Sequence, residues 1–215
     1  MSETRRPRRT KADIEKRIND AAVELITQKG FADVQLTEIT RKADIEPMVF
    51  YNRYHNMDEF YDEFVKKYDY WLTDVIKQQG TDTTEPSEEN CAEIMDGLIT
   101  ELISDKIMLE ILRWEVGSGN PVTERTALFR EMLNLQLVFK YKKLFREGNS
   151  PIDIAAFSAL IIGGIYYQFL HRDRSSFCGL DFNDPKDIEI MRNTVSQLVK
   201  LVFSTLNINK QQNAR

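Results

Sequence analysis

Apolar residues recur at helical spacing along most of this chain, and nowhere does a period of two persist long enough to make a strand. Ile14, Ile18, Ala21, Ala22, Leu25 and Ile26 form one stripe, which predicts an amphipathic helix over 11–29. Thr10 is placed as its N-cap with Asp13 three residues on, and Gly30 ends it, with Phe31 packing back. Two short helices follow. Leu36, Ile39 and Ala43 give the first an apolar face, Asp44, Ile45 and Glu46 break the pattern, and Pro47 opens the second at a position where its missing N–H costs nothing. In the second, Val49, Phe50 and Tyr54 are expected inward and Pro47, Met48, Asn52 and Arg53 largely free. Asn56 caps a longer helix expected over 57–79, with Asp58 and Glu59 in its first turn and Phe60, Phe64, Tyr68, Trp71 and Leu72 on its apolar side.

After the loop Gly80–Pro86, helices are expected over 88–103, 105–116, 121–147, 152–172 and 185–206. In the longest, the stripe Leu128, Met132, Leu135 and Phe139 is expected to face the core. The fold class is therefore all-α: nine helices in two domains, an N-terminal three-helix unit with a helix-turn-helix and a larger C-terminal helical unit. The expected boundaries are a flexible basic arm at 1–10, the helix-turn-helix domain at 11–56, a connector helix at 57–79, an effector-binding and dimerisation domain at 80–206 and a polar tail at 207–215.

A short helix with an exposed, polar, non-repetitive face suits the major groove of DNA, although the pattern alone fits an ordinary bundle equally well. Charge changes that balance. The net charge is −5, yet residues 1–60 are neutral overall, so the acidic excess lies entirely beyond them. Arg5, Arg6, Arg8 and Arg9 make the first ten residues a basic arm suited to phosphates or a minor groove. The two cysteines, Cys91 and Cys178, and the two histidines, His55 and His171, are isolated in sequence, which argues against a metal site or a disulfide framework. No nucleophile–base pair or phosphate loop is visible, so no enzymatic activity and no cofactor are expected. The start of the chain has no apolar signal segment, and the run Ile154–Leu170 is interrupted and slightly short for a span; a cytoplasmic location without a membrane is expected.

Residues 11–65 resemble the DNA-binding domain of the TetR family of bacterial transcriptional regulators. The resemblance rests on Lys29-Gly30-Phe31, Leu36, Glu38-Ile39, Ala43-Asp44-Ile45, Phe50-Tyr51-Asn52-Arg53-Tyr54 and Asn56-Met57-Asp58-Glu59-Phe60. It implies a homodimer that sets two recognition helices in successive major grooves of a palindromic operator, and a C-terminal domain whose small effector releases the DNA. Carried over by position, Tyr51 would donate its hydroxyl to a phosphate, Thr37 would face the backbone, and Pro47, Met48, Asn52 and Arg53 would lie on the recognition helix. Several positions depart from the family pattern: Gln35 replaces a small cap, Asp44 a glycine, Glu46 a serine, Met48 a glycine and Met57 a lysine. Glu46 near the groove floor would accept a hydrogen bond from a cytosine amino group.

Ile154–Leu170 is apolar nearly all round and must be covered on more than one side. With the last helix it is expected to form a four-helix bundle with a second copy, through Ile161, Gly163, Gly164, Ile165, Val195, Leu198 and Val202. The alternative is that both helices are simply monomer core. Aromatic residues collect in the C-terminal half, and Tyr68, Trp71, Trp114, Glu115, Phe139, Tyr166 and His171 are the candidates for lining a pocket for a hydrophobic or aromatic effector. The competing function is a helical ligand-binding or interaction protein that has lost specific DNA binding.

Overall fold

The computed structural model describes residues 10–68 and 85–206, and among these residues the chain forms nine helices and no strand. They are α1 (Lys11–Lys29), α2 (Leu36–Ala43), α3 (Pro47–Tyr51), α4 (Met57–Val65), α5 (Glu88–Ser104), α6 (Lys106–Gly117), α7 (Pro121–Glu147), α8 (Ile154–His171) and α9 (Pro185–Phe203). The fold is all-α. The basic arm, Trp71, most of the loop at 80–86 and the polar tail lie outside the described residues.

The chain divides into two compact units. The described part of the first is 10–68 with 110–124, and that of the second is 85–109 with 125–206. The segment 110–124 therefore belongs with the N-terminal unit, where an unbroken second domain from residue 80 was expected. Packing explains this: Trp114 stacks on Phe31, centroids 4.6 Å apart and planes 4° apart, and meets Tyr61 edge-on at 5.2 Å. Aromatic pairs of this kind contribute about 0.5–1.5 kcal/mol each beyond area burial.

The caps fall where the sequence puts them. Thr10 and Asp13 form a capping box at the start of α1. Gly30, at φ 79°, lets its N–H reach the carbonyl of Ile26 at 2.8 Å. Asn56 accepts from the Glu59 N–H at 2.8 Å, and Ser87 from the Asn90 N–H at 3.1 Å. The fourth helix is shorter than expected. It ends at Val65 because the chain tightens into i→i+3 bonds, Lys67 N–H to Phe64 O and Tyr68 N–H to Val65 O; the rest of the expected connector lies outside the described residues.

In the second unit, α5 packs along α9, held at its exposed edge by Arg192, which pairs with Asp96 and donates to Thr100 Oγ1 at 3.0 Å. One expectation is reversed in α7. Leu128, Met132 and Phe139 are 66, 66 and 63% exposed, and Leu135 is also exposed. The helix carries two apolar faces, and the one bearing Tyr141 and Phe145 turns inward because both rings meet Phe203 edge-on, at 6.2 and 5.0 Å. Between α7 and α8 the turn is made by Asn149 at φ 50°; Gly148 is buried, and a Cβ there would lie 2.8 Å from a Leu206 methyl.

Candidate nucleic-acid interface and effector cavity

The helix-turn-helix is built on a buried apolar layer. Ile18, Ala22 and Ile26 of α1 are solvent-free, as is Ile39 of α2. Below α3, Phe50, Tyr54 and Phe60 form a triangle of rings 5.1–5.5 Å apart. Asp44 takes the left-handed conformation, φ 54° and ψ 53°, that the sharp turn between α2 and α3 requires. Aspartate tolerates it better than most residues. Arg17 braces the same turn, donating to the Ala43 carbonyl at 3.2 Å and lying 3.6 Å from the Asp44 carboxylate.

On this support α3 is short and outward-facing. Glu46, Pro47, Met48, Tyr51 and Asn52 are all exposed, Met48 by 67% and Tyr51 by 51%, and Thr37 is exposed in the first turn of α2. The helix ends at Tyr51, with Asn52 as its C-cap and Arg53 in the turn beyond. Arg53 is not the free groove residue expected. Its side chain is three-quarters covered and its guanidinium donates to Glu15 Oε2 at 2.9 Å, tying the end of α3 to α1. Lys67 also reaches Glu15, at 3.3 Å, and these bonds hold the Glu15 carboxyl below the usual glutamate range. Arg41 was not singled out by sequence, since one arginine among charged neighbours carries no signal there. It is exposed in the last turn of α2, beside Asp44 and Glu46, with no ion-pair partner among the described residues.

The second unit contains a cavity of about 360 Å³ between α5, α7 and α8. That is within the range of small-molecule sites. Its wall is mostly apolar: Ile94 and Met95 from α5, Leu137 and Val138 from α7, and Ala159 and Ile162 from α8 are among its residues. Cys91 and Tyr141 close one part of it. Burial pushes the Cys91 thiol up to about 12, so it stays protonated, and the Tyr141 hydroxyl donates to the Ser87 carbonyl at 3.3 Å. The polar members are Glu131, Asn134, Ser158 and Tyr166.

Of the six effector candidates among the described residues, Tyr166 alone lines this cavity. Trp114 and Glu115 fall in the first unit, as does Tyr68, whose ring packs on Phe64 at 5.0 Å. Phe139 lines a separate open groove with Lys142, Lys143 and Arg146. His171 stacks on Tyr167 at 5.4 Å and shares a hydrogen bond with Ser175 at 2.9 Å, away from the cavity wall. Trp71 lies outside the described residues. Glu131 and Asn134 were missed because a helix of 27 residues with two apolar faces does not reveal which polar positions fall between them.

The dimer candidates divide. Ile165 of α8 and Val195 and Val202 of α9 are buried within the chain itself, because both helices pack against α5, and so cannot face a second copy as expected. Ile161, Gly163, Gly164 and Leu198 are at least partly open, and a Cβ built on either glycine meets nothing within 4 Å. Leu160, Tyr167, Ile190 and Leu201 add exposed apolar surface on the same two helices. Only 17% of α8 is buried, although it is apolar and long enough to cross a membrane by length and composition.

Two short helices with an outward polar face on a buried aromatic base form a helix-turn-helix, and a separate helical unit holds a small-molecule-sized cavity. Residues 18–64 match the family described as Bacterial regulatory proteins, tetR family. That match spans 47 of the 215 residues, from within α1 to α4. Solved structures agree in fold. FadR from Bacillus subtilis in complex with stearoyl-CoA is 18% identical with a TM-score of 0.62, over 86% of this chain and 97% of that one. The fatty acid degradation regulator FadR from Bacillus halodurans is 18% identical at 0.61, over 89 and 96%. The multidrug binding protein EbrR, complexed with imidazole, is 18% identical at 0.58, over 91 and 96%. A search of curated proteins returns no match.

Proposed function

We propose that this protein is a cytoplasmic, ligand-responsive transcriptional repressor that binds a palindromic operator as a homodimer and is released by a small, largely apolar effector. The observation that carries the reading is α3: its outer face offers Pro47, Met48, Tyr51 and Asn52 to solvent while Phe50 anchors it from below. Glu46, Pro47, Met48 and Asn52 set the target sequence, Tyr51 and Thr37 meet the phosphate backbone, and Arg5, Arg6, Arg8 and Arg9 supply the arm. Arg41 adds an exposed cation beside that face. The uncovered sides of α8 and α9 support pairing with a second copy. The cavity supports the effector, as do structural neighbours determined with stearoyl-CoA or named for multidrug binding.

The test is capture of genomic DNA fragments by the full-length protein. Enrichment of a few discrete sites, lost as salt rises, is the expected result. Enrichment of none favours a ligand-binding protein that has lost specific DNA recognition. The engagement of Arg53 by Glu15 and the acidic Glu46 at the head of α3 favour that second reading.

A further inference from the structure

The cavity between α5, α7 and α8 is asymmetric in its chemistry. On α7 it runs from Glu131 to Tyr141, and on α8 from Ile154 to Tyr166. At about 1.5 Å of rise per residue this is a slot of roughly 15–18 Å. A six-residue turn joins the two helices, so Tyr141 and Ile154 lie at one end, with Glu131, Asn134 and Tyr166 at the other. The first end is apolar and closed: Ile154 is 2% exposed, and Cys91 is a neutral thiol. At the second end two acceptors have no partner among the described residues. The Asn134 side-chain oxygen is buried without a hydrogen bond, and Glu131 has no ion-pair partner among the described residues.

Among the described residues, Glu131 is the one charged member of the cavity wall, and no cation lines it. Lys142, Lys143 and Arg146 line the neighbouring groove, from which Ile154 separates the slot as a wall common to both. A carboxylate or phosphate inside the slot would face Glu131 with no counter-charge. A protonated amine would meet a carboxylate and an amide oxygen, both suited to its N–H donors.

We propose that the slot takes an elongated apolar molecule with a single cationic amine head, its chain toward Tyr141 and Ile154 and its ammonium between Glu131 and Asn134. This rests on the reading of the cavity as the effector site. The test titrates the full-length protein with decylamine, decanol and decanoate by calorimetry at neutral pH, below their aggregation limits. Decylamine is expected to bind one per chain about tenfold more tightly than decanoate, the size of one charge-assisted hydrogen bond. Glu131→Gln should bring decylamine down to the affinity of decanol and leave decanol unchanged, and Ala159→Trp should block all three. Glu131 is exposed, so its substitution leaves the fold intact even if the tryptophan does not. Decanoate binding as tightly as decylamine, or decylamine binding unchanged in Glu131→Gln, overturns the charge assignment while leaving the cavity as an effector site. Failure of all three to bind overturns the effector site as well.

Discussion

At the scale of single residues, Tyr51 and Arg53 differ: the first stands open to solvent on α3, and the second is tied into the domain by Glu15. Tyr51 is exposed, and in the proposed role of phosphate donor Tyr51→Phe should weaken operator binding several-fold, consistent with about 1 kcal/mol for one hydrogen bond, without changing the salt dependence, since no charge is lost. A fluorescence anisotropy titration at several salt concentrations separates the two quantities. Arg53 acts inside the domain. A double-mutant cycle of Glu15→Ala and Arg53→Ala, read by urea unfolding, should give a coupling of about 0.5 kcal/mol, the size of a partly exposed pair. The Glu15 carboxyl is held low first by its bond from Arg53, then by Lys67. Its contribution is therefore fully present above the ordinary glutamate value of about 4.3 and lost as pH falls through the lower folded value. Wild type should lose stability over that acid range more steeply than Glu15→Gln. Tyr51 was legible in the sequence because a family motif carries it. The pairing of Arg53 was not, since Glu15 is 38 residues away and nothing local links them.

At the scale of elements, capping residues were the most readable signals because they act within one turn of the chain. Thr10, Asn56, Ser87 and Pro47 each start a helix where their chemistry places them. Gln35 is the exception. It gives no side-chain cap hydrogen bond to α2, and the Glu38 carboxylate instead receives the Gln35 N–H at 3.1 Å. Gln35→Ser should therefore stabilise the protein by about 0.5–1 kcal/mol in thermal unfolding, and no gain would mean that Glu38 and Lys29 already fix this end. Helix faces were less readable. In α7 the pattern offered two apolar stripes, and contacts with Phe203, some sixty residues on, decided between them. The same ambiguity hid Asn134 and Glu131, which lie on the cavity side of that helix. For α9, a stripe including Val195 and Val202 was read as a dimer face although α5 covers it.

At the scale of the whole molecule, composition and helix count were enough for the all-α architecture, but the membership of the units was not. Trp114 joins the N-terminal unit through one ring stacked on Phe31, a long-range contact that no periodicity encodes. What remains uncovered is the outer side of α8 and α9, where Leu160 is 77% and Leu201 64% exposed. The double variant Leu160→Glu, Leu201→Glu should run as a monomer in size-exclusion chromatography with light scattering, with its helical circular dichroism unchanged. A dimer that survives both charges would place the interface elsewhere, the exposed α7 stripe being the next apolar surface. The central claim is that α3 reads DNA from each half of a symmetric pair. The most direct test is selection of bound duplexes from a random DNA library by the full-length protein. An inverted repeat, with half-sites spaced by about one helical turn and lost in the monomeric variant, is the predicted result. Recovery of no common sequence, or of a single unpaired half-site by the intact dimer, would contradict it.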